Sequence, residues 1–305
     1  MKERYNSPRC EAMNKTRTII LIRPDFGKAI EYIYRQVNPP IGLGYLSSFL
    51  RTKGYRVFIL DLAFRRLATR TVIEFIKKRE PLFVGISALT AYYSEMKVIA
   101  NRLREEIPEL KIVLGGVHAS SLPRESLIEC KADFVVRGEG ELAIWRLADA
   151  LREDPAKIPS ITGLAIRKGD EVIFTGKPEL VDDLDELPMP AWHQINPNKY
   201  PKNPHGFLMI HEQVAPVFST RGCPFECHYC ASCRFWRRRI RFRSPKNVVD
   251  EIEYLHDRFG IKEIHFWDDN LTLKRSHIVG ICREIIARGL NHMAFCTPNG
   301  VRVDT

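Results

Sequence analysis

Between residues 18 and 153, short apolar runs rich in branched residues alternate with amphipathic stretches, and this alternation constrains the fold more than any other feature. The runs at 18–23 (TIILIR), 55–62 (YRVFILDL), 82–87 (LFVGIS), 111–114 and 134–136 are nearly continuous in hydrophobicity. Strands with one wet face would alternate apolar and polar residues; continuous runs mark strands buried on both faces, as in a parallel sheet covered by helices. The stretches between them supply those helices, at 41–53 before Gly54, 72–78, 92–107 before Pro108, and 141–152. The pattern predicts a doubly wound α/β domain over residues 14–153, with ligands at the carboxyl ends of its strands. Residues 1–13 show no periodicity and read as a loose leader, with Met13 as a second start.

Residues 154–213 change character. Two short runs around Lys168-Gly169-Asp170 predict a β-hairpin, and the acidic, proline-rich stretch 182–190 predicts a connector between domains. From Val214 the alternation resumes over 214–305: a strand at 214–218, a helix from Pro245 to Gly260, a strand at 263–267 (EIHFW), a helix at 274–288 and a strand from Met293.

Residues able to carry chemistry follow these strand ends. Cys223, Cys227 and Cys230 form a C-x3-C-x2-C run directly after the strand at 214–218. Thiolates are soft ligands that suit zinc and iron–sulfur clusters. Four cysteines close a cubane cluster, whereas three leave one iron open to another ligand. Cys233 continues the run, although Arg237 stands where a ferredoxin pattern would place its next cysteine. Spacing therefore leaves an open three-cysteine site and a closed site using Cys233 side by side. Of eight cysteines, four lie within 223–233, which favours metal binding in a reducing cytoplasm over a disulfide framework. Cys10, Cys130, Cys282 and Cys296 read as inert or packing residues. Asp268 and Asp269, after the EIHFW strand, can bind a metal, exchange a proton or hold an ammonium group; Asn270 or Thr272 can instead cap the next helix. In the first domain Ser87-Ala88-Leu89 and Gly115-Gly116 close strands three and four. The glycines permit close approach of a ligand, and Ser87 or Thr90 can donate a hydrogen bond.

A length of 305 residues supports two cores, and 45% hydrophobic with 28% charged residues is ordinary globular composition. No apolar run approaches a membrane span, and the first residues lack the apolar core of an export signal. The net charge of +10 is partly local, with Arg234, Arg237, Arg238, Arg239, Arg241 and Arg243 beside Phe235, Trp236 and Phe242. Such a run can hold phosphates and stack bases, or serve as a solvated or anion-facing loop. One basic run without a recognised binding fold does not carry a nucleic-acid function.

The triplet Cys223, Cys227, Cys230, with Tyr229 just before its last cysteine, resembles the radical S-adenosylmethionine (SAM) superfamily. There, three cysteines hold a [4Fe–4S] cluster, and the fourth iron takes the amino and carboxylate groups of S-adenosyl-L-methionine. The resemblance implies a partial (β/α)6 barrel of the TIM type, of which 214–305 would be the N-terminal half. It also implies that the loop after barrel strand two meets the methionine amino group; Asp268-Asp269-Asn270 stands where Gly-Gly-Glu is common. The order Ser87-x-Leu89 then Gly115-Gly116, with the phrases at 39–46 (PPIGLGYL), 115–119 (GGVHA) and 137–141 (RGEGE), resembles the Rossmann-like cobalamin-binding domain that precedes many such barrels. Implied cofactor contacts are Tyr229, Asp268 and Asp269 in the barrel, and Ser87, Leu89, Gly115, Gly116 and His118 in the first domain. One departure concerns the loop 25–30, which lacks the histidine of the D-x-H-x-x-G pattern, so the resemblance implies cobalamin without a histidine lower ligand. His118 lies after strand four and takes no such role by motif.

The resemblance thus implies an enzyme that generates a 5′-deoxyadenosyl radical and transfers a methyl group to an unactivated carbon of a small-molecule or lipid-like substrate. A reductant such as flavodoxin or ferredoxin would feed the cluster, and the setting would be cytoplasmic. Oxidative cyclisation and ring contraction are sister outcomes, and no catalytic residue is assigned. A tRNA methylthiotransferase would carry a second cluster on three cysteines of its first domain, which here holds Cys130, with Cys10 in the leader. A non-catalytic iron–sulfur electron carrier would need Cys233 and has no use for Asp268 and Asp269. With half a barrel expected, the third barrel strand would present an open apolar edge. Residues 1–305 alone are therefore expected to be poorly soluble or oligomeric without turnover, and 14–153 to fold independently.

Overall fold

The computed structural model describes residues 17–25, 37–65, 67–200 and 209–302. The expected leader, Cys10 and most of the 25–30 loop lie outside the described residues.

Five parallel strands form at the apolar runs: β1 (Thr18–Arg23), β2 (Arg56–Asp61), β3 (Phe83–Ser87), β4 (Ile112–Gly115) and β5 (Phe134–Val136). Helices α1 (Ile41–Thr52), α2 (Leu62–Arg65), α3 (Thr69–Lys77), α4 (Tyr93–Glu106), α5 (Gly116–Ser121), α6 (Pro123–Glu129) and α7 (Glu141–Glu153) connect and follow them. Ile19 and Leu21 of β1 share a core with Leu50 of α1 and Leu147 of α7. Ile20 and Ile22 enter the opposite core with Ile76 of α3 and Met96 of α4. Both faces are thus covered, which is why these strands contain no polar alternation. The spatial order begins β2-β1-β3-β4-β5, so it reverses between β1 and β3, the point at which doubly wound sheets bind ligands.

The hairpin at 154–213 belongs to this sheet and not to the connector. β6 (Leu164–Lys168) and β7 (Glu171–Phe174) pair antiparallel onto β5 and extend the sheet to seven strands. The edge of β5 would otherwise be unpaired, and Leu164, Ala165 and Ile166 bury against its core. The acidic stretch is a wedge: Leu184, Leu187 and Trp192 share one core with Ile41 and Phe49 of α1 and Val248 and Ile252 of the second unit. Gly44 admits this wedge, because a β-carbon there would stand 2.7 Å from Ile195 Cδ1 and 3.0 Å from Pro190 Cβ.

The second unit follows the predicted alternation. β8 (Val214–Val217) leads into the small strand β9 (Thr220–Arg221), the cysteine loop, α8 (Ser232–Phe235) and β10 (Arg241–Phe242). Next come α9 (Pro245–Phe259), β11 (Glu263–Phe266), α10 (Arg275–Ala287) and β12 (Ala294–Cys296). β8, β11 and β12 are parallel neighbours in that order, while β9 and β10 pair antiparallel. Ser244 caps α9 by accepting from Asn247 N at 3.1 Å, and Gly260 ends it in the left-handed conformation (φ +64°).

Candidate cofactor site

The segments that follow the carboxyl ends of β3, β4, β5, β8 and β11 line one cavity of about 670 Å³ between the two units. Ser87, Ala88, Leu89, Gly115 and Gly116 form its wall on the first unit; Phe218, Trp236, Trp267 and Asp269 belong to the wall on the second. Gly116 holds φ at +86°, and a β-carbon there would lie 2.7 Å from the carbonyl of Ala88. The glycine therefore lets α5 start tight against the end of β3. Four of the five cofactor contacts expected in the first unit reach the cavity, and Leu89 presents a side chain 54% exposed.

His118 is the exception. It is buried in α5 outside the cavity wall, stacked on Tyr93 at 4.0 Å, with Nδ1 3.2 Å from Thr90 Oγ1. Burial lowers its pKa and keeps the ring neutral. The Nε2 of the buried ring has no hydrogen-bond partner among the described residues.

Gly222 and Ala231, which flank the cysteine loop, line the cavity, whereas the three cysteines between them sit half-buried at its margin. A turn from Cys230 N to Cys227 O (3.0 Å) shapes the loop, and Cys233 Sγ donates to Cys230 O at 3.2 Å. Burial raises the Cys223 thiol pKa, and the charges of Asp269, Cys230 and Cys227 raise it further. The three thiols are thus electrostatic neighbours, a donor set that fits a cationic, thiophilic group. Among the described residues no three His, Cys, Asp or Glu side chains converge closely enough to hold a single metal ion. A multi-iron cluster is wider than an ion and can draw on ligands spread along one loop. Tyr229, expected beside the cofactor, is 93% exposed and lies outside the cavity wall.

The two neighbouring aspartates separate sharply. Asp268 is 2% exposed and accepts from Ser219 N at 3.1 Å, Ser219 Oγ at 2.8 Å and Thr220 Oγ1 at 2.5 Å. Burial pushes its pKa up, and these hydrogen bonds oppose the shift. It ties the end of β11 to the start of the cysteine loop and does not line the cavity. Asp269 does reach it, accepting from Ser232 Oγ at 3.1 Å. Burial raises the pKa of Asp269 as well.

The basic run turns inward onto the chain's own acids. Arg238 pairs with Glu226, Arg239 with Asp182 at 2.9 Å, Arg241 with Glu139 at 2.6 Å and Arg243 with Glu251 at 2.6 Å. Asp185 of the connector accepts from Ser244 N at 2.9 Å. Local neutralisation therefore accounts for most of the run without phosphates.

The glutamates of the 137–141 phrase are not among the expected site residues, yet they reach the cysteine loop's approach. Glu139 and Glu141 both grip Arg221, whose guanidinium also lies 4.7 Å from the Tyr45 ring. Burial disfavours the charge of Arg221, yet Glu141 and Glu139 more than offset it and raise its pKa. Two glutamates beside glycines, against an arginine two residues before a cysteine, were the available signal.

Comparison with known proteins agrees with this geometry. Residues 34–148 match the B12 binding domain family, and residues 217–304 match the Radical SAM superfamily. An uncharacterized methyltransferase of Pyrococcus horikoshii is 32% identical over 91% of this chain and 59% of its own length. The anaerobic magnesium-protoporphyrin IX monomethyl ester cyclase of Cereibacter sphaeroides is 33% identical over 83% of this chain and 41% of its own. The solved radical S-adenosylmethionine methyltransferase TsrM of Kitasatospora setae, with tryptophan substrate and a SAM analogue bound, shares the fold with a TM-score of 0.76 at 22% identity. That match covers 94% of this chain and 56% of TsrM. The chain thus spans about half the length of the relatives it matches. No helix among the described residues is long and apolar enough to cross a membrane. The chain thus joins a segment that matches the B12 binding domain family to a segment that matches the Radical SAM superfamily, and the two line one shared cavity.

Proposed function

We propose that the chain acts as a cobalamin-dependent radical SAM methyltransferase on a small-molecule or lipid-like substrate, in the cytoplasm and fed by a reductant such as flavodoxin or ferredoxin. The observation that carries this is the single cavity whose walls are the crevice of the first sheet and the margin of the cysteine loop. Cys223, Cys227 and Cys230 would hold a [4Fe–4S] cluster, and Asp269 would meet the amino group of SAM. Ser87, Leu89, Gly115 and Gly116 would contact cobalamin. When bound, these groups supply one-electron cleavage of SAM and a methyl donor. The chain's own part is placement. Asp268 fixes the end of β11 so that Asp269 reaches the cavity, and Phe218, Trp236 and Trp267 give it an apolar lining.

The test is anaerobic reconstitution with iron, sulfide and hydroxocobalamin, followed by dithionite and methyl-labelled SAM. On full-length protein, the expected result is release of 5′-deoxyadenosine with part of the label leaving methionine. Similarity to the cyclase supports a second reading, in which 5′-deoxyadenosine forms and all the label stays in methionine. Absence of both 5′-deoxyadenosine and hydroxocobalamin uptake would overturn the proposal.

A further inference from the structure

A buried ion-pair brace crosses from the first unit to the second beside the cysteine loop. Glu139 and Glu141 follow β5, and Arg221 lies between them, with Glu141 at 2.9 Å from the guanidinium. The second oxygen of Glu139 accepts from Arg241 at 2.6 Å and from Val181 N at 2.8 Å. Side-chain exposure is 2% for Glu139, 4% for Glu141, 11% for Arg221 and 5% for Arg241. Leaving one such charge buried without its partner is costly, so the members of the brace shift together.

Each end of the brace meets a different part of the cavity. On one side Gly138 N donates to Ser120 Oγ at 2.9 Å, and Ser120 belongs to α5, which begins at Gly116 on the crevice wall. On the other side Arg221 runs directly into Gly222 and Cys223. We propose that Glu139 is a positioning residue through which occupancy of the crevice sets the conformation of the cysteine loop. The identity of the ligands rests on the function proposed above, whereas the mechanical link between the two loops does not. A ligand pressing on the 137–141 loop displaces Glu139, and Arg221 follows its partner and moves the backbone leading to Cys223. Because coupling free energy is reciprocal, ordering of the cysteine loop also favours binding in the crevice.

The experiment measures backbone amide exchange in the whole chain, as wild type and as Glu139→Gln, with and without hydroxocobalamin. Glutamine keeps the shape and removes the charge. In the wild type, hydroxocobalamin is expected to slow exchange at 222–231 by about fivefold or more. In Glu139→Gln, with hydroxocobalamin still bound by absorbance, that slowing is expected to vanish; equal slowing in both proteins overturns the proposal. A second arm uses no cofactor. Glu139→Gln should speed exchange at 219–224, and Arg221→Lys should speed it at 137–141, each by about fivefold. Changes confined to the mutated segment overturn the brace. Reciprocal changes without any uptake of hydroxocobalamin support the brace while sinking the cofactor reading. Should Glu139→Gln fail to fold, Glu141→Gln removes one of the two partners of Arg221 and is expected to shift exchange in the same direction.

Discussion

The carbonyl oxygen of Arg239 lies in the space that a β-carbon at Gly222 would fill, and Gly222 holds φ at +101°. The basic turn is therefore a clamp closed on the residue before Cys223. Its backbone is strained, with φ of +55° at Arg237 and +56° at Arg238. Three tethers hold it: Arg237 to Pro178 O at 3.0 Å, Arg238 to Glu226, and Arg239 to Asp182 at 2.9 Å. Gly222→Ala is expected to cost about 3 kcal/mol or more, since both the conformation and the space are denied to a side chain. Urea unfolding checks this, and a wild-type midpoint would show that the clamp opens freely.

Asp268 and Asp269 are expected to fail differently when changed to asparagine. Asp268→Asn turns an acceptor-only group that takes three donors into one with an amide facing them, and should destabilise by about 2 kcal/mol. Asp269 accepts from the Ser232 hydroxyl and from Trp236 at the cavity, both of which an asparagine oxygen can still serve, so Asp269→Asn should stay within about 0.5 kcal/mol of wild type. The cavity-facing variant should instead lose the change that SAM induces in the electron paramagnetic resonance of the reduced cluster. Equal stability losses in the two variants would contradict the division of labour.

A further prediction concerns pH. Ser219 Oγ donates to Asp268, so it accepts from His277 Nε2 at 3.1 Å. Burial, with Lys274 and Arg243 nearby, lowers the His277 pKa from 6.5 to about 4. Between these values the unfolded chain binds a proton that the folded chain refuses. Stability conferred by this residue is therefore complete above pH 6.5 and is lost as pH falls toward 4, by about 3 kcal/mol in all. Denaturant midpoints at pH 7 and pH 4.5 should differ less for His277→Gln than for wild type. An identical acid loss in both would remove His277 from this role.

Strand ends were legible because continuous apolar runs admit few alternatives, and β1 begins and ends at Thr18 and Arg23 as the run does. The place of β6 and β7 was not legible, because a hairpin pattern does not say which open edge it will cover. The aspartates are chemically identical neighbours; what separates them is Ser219, far away in sequence, which captures one and leaves the other to the cavity. His118 entered the expected cofactor contacts through the 115–119 phrase, whereas its stack with Tyr93 depends on packing between α4 and α5 that no local pattern encodes. The acidic stretch at 182–186 supplies a partner to Arg239 alone of the basic run, and the other partners, Glu226, Glu139 and Glu251, are scattered along the chain, so their pairing is set by packing and not by a local pattern.

The last prediction separates an open cluster site from a closed one. Cys233 lies in α8, one residue after its start at Ser232, and its thiol donates to the carbonyl of Cys230 at 3.2 Å, so it already has a structural partner. Cys223, Cys227 and Cys230 instead share the loop between two cavity-lining residues, Gly222 and Ala231. If the fourth iron is left for SAM, Cys233→Ala should retain the iron and sulfide content of wild type after anaerobic reconstitution. Its reduced cluster should still respond to SAM by electron paramagnetic resonance. Alanine at Cys223, Cys227 or Cys230 should each abolish most of the bound iron, because two thiolates rarely retain a cubane cluster. Loss of the cluster in Cys233→Ala, with a wild-type spectrum indifferent to SAM, would identify a closed four-cysteine site and favour an electron carrier.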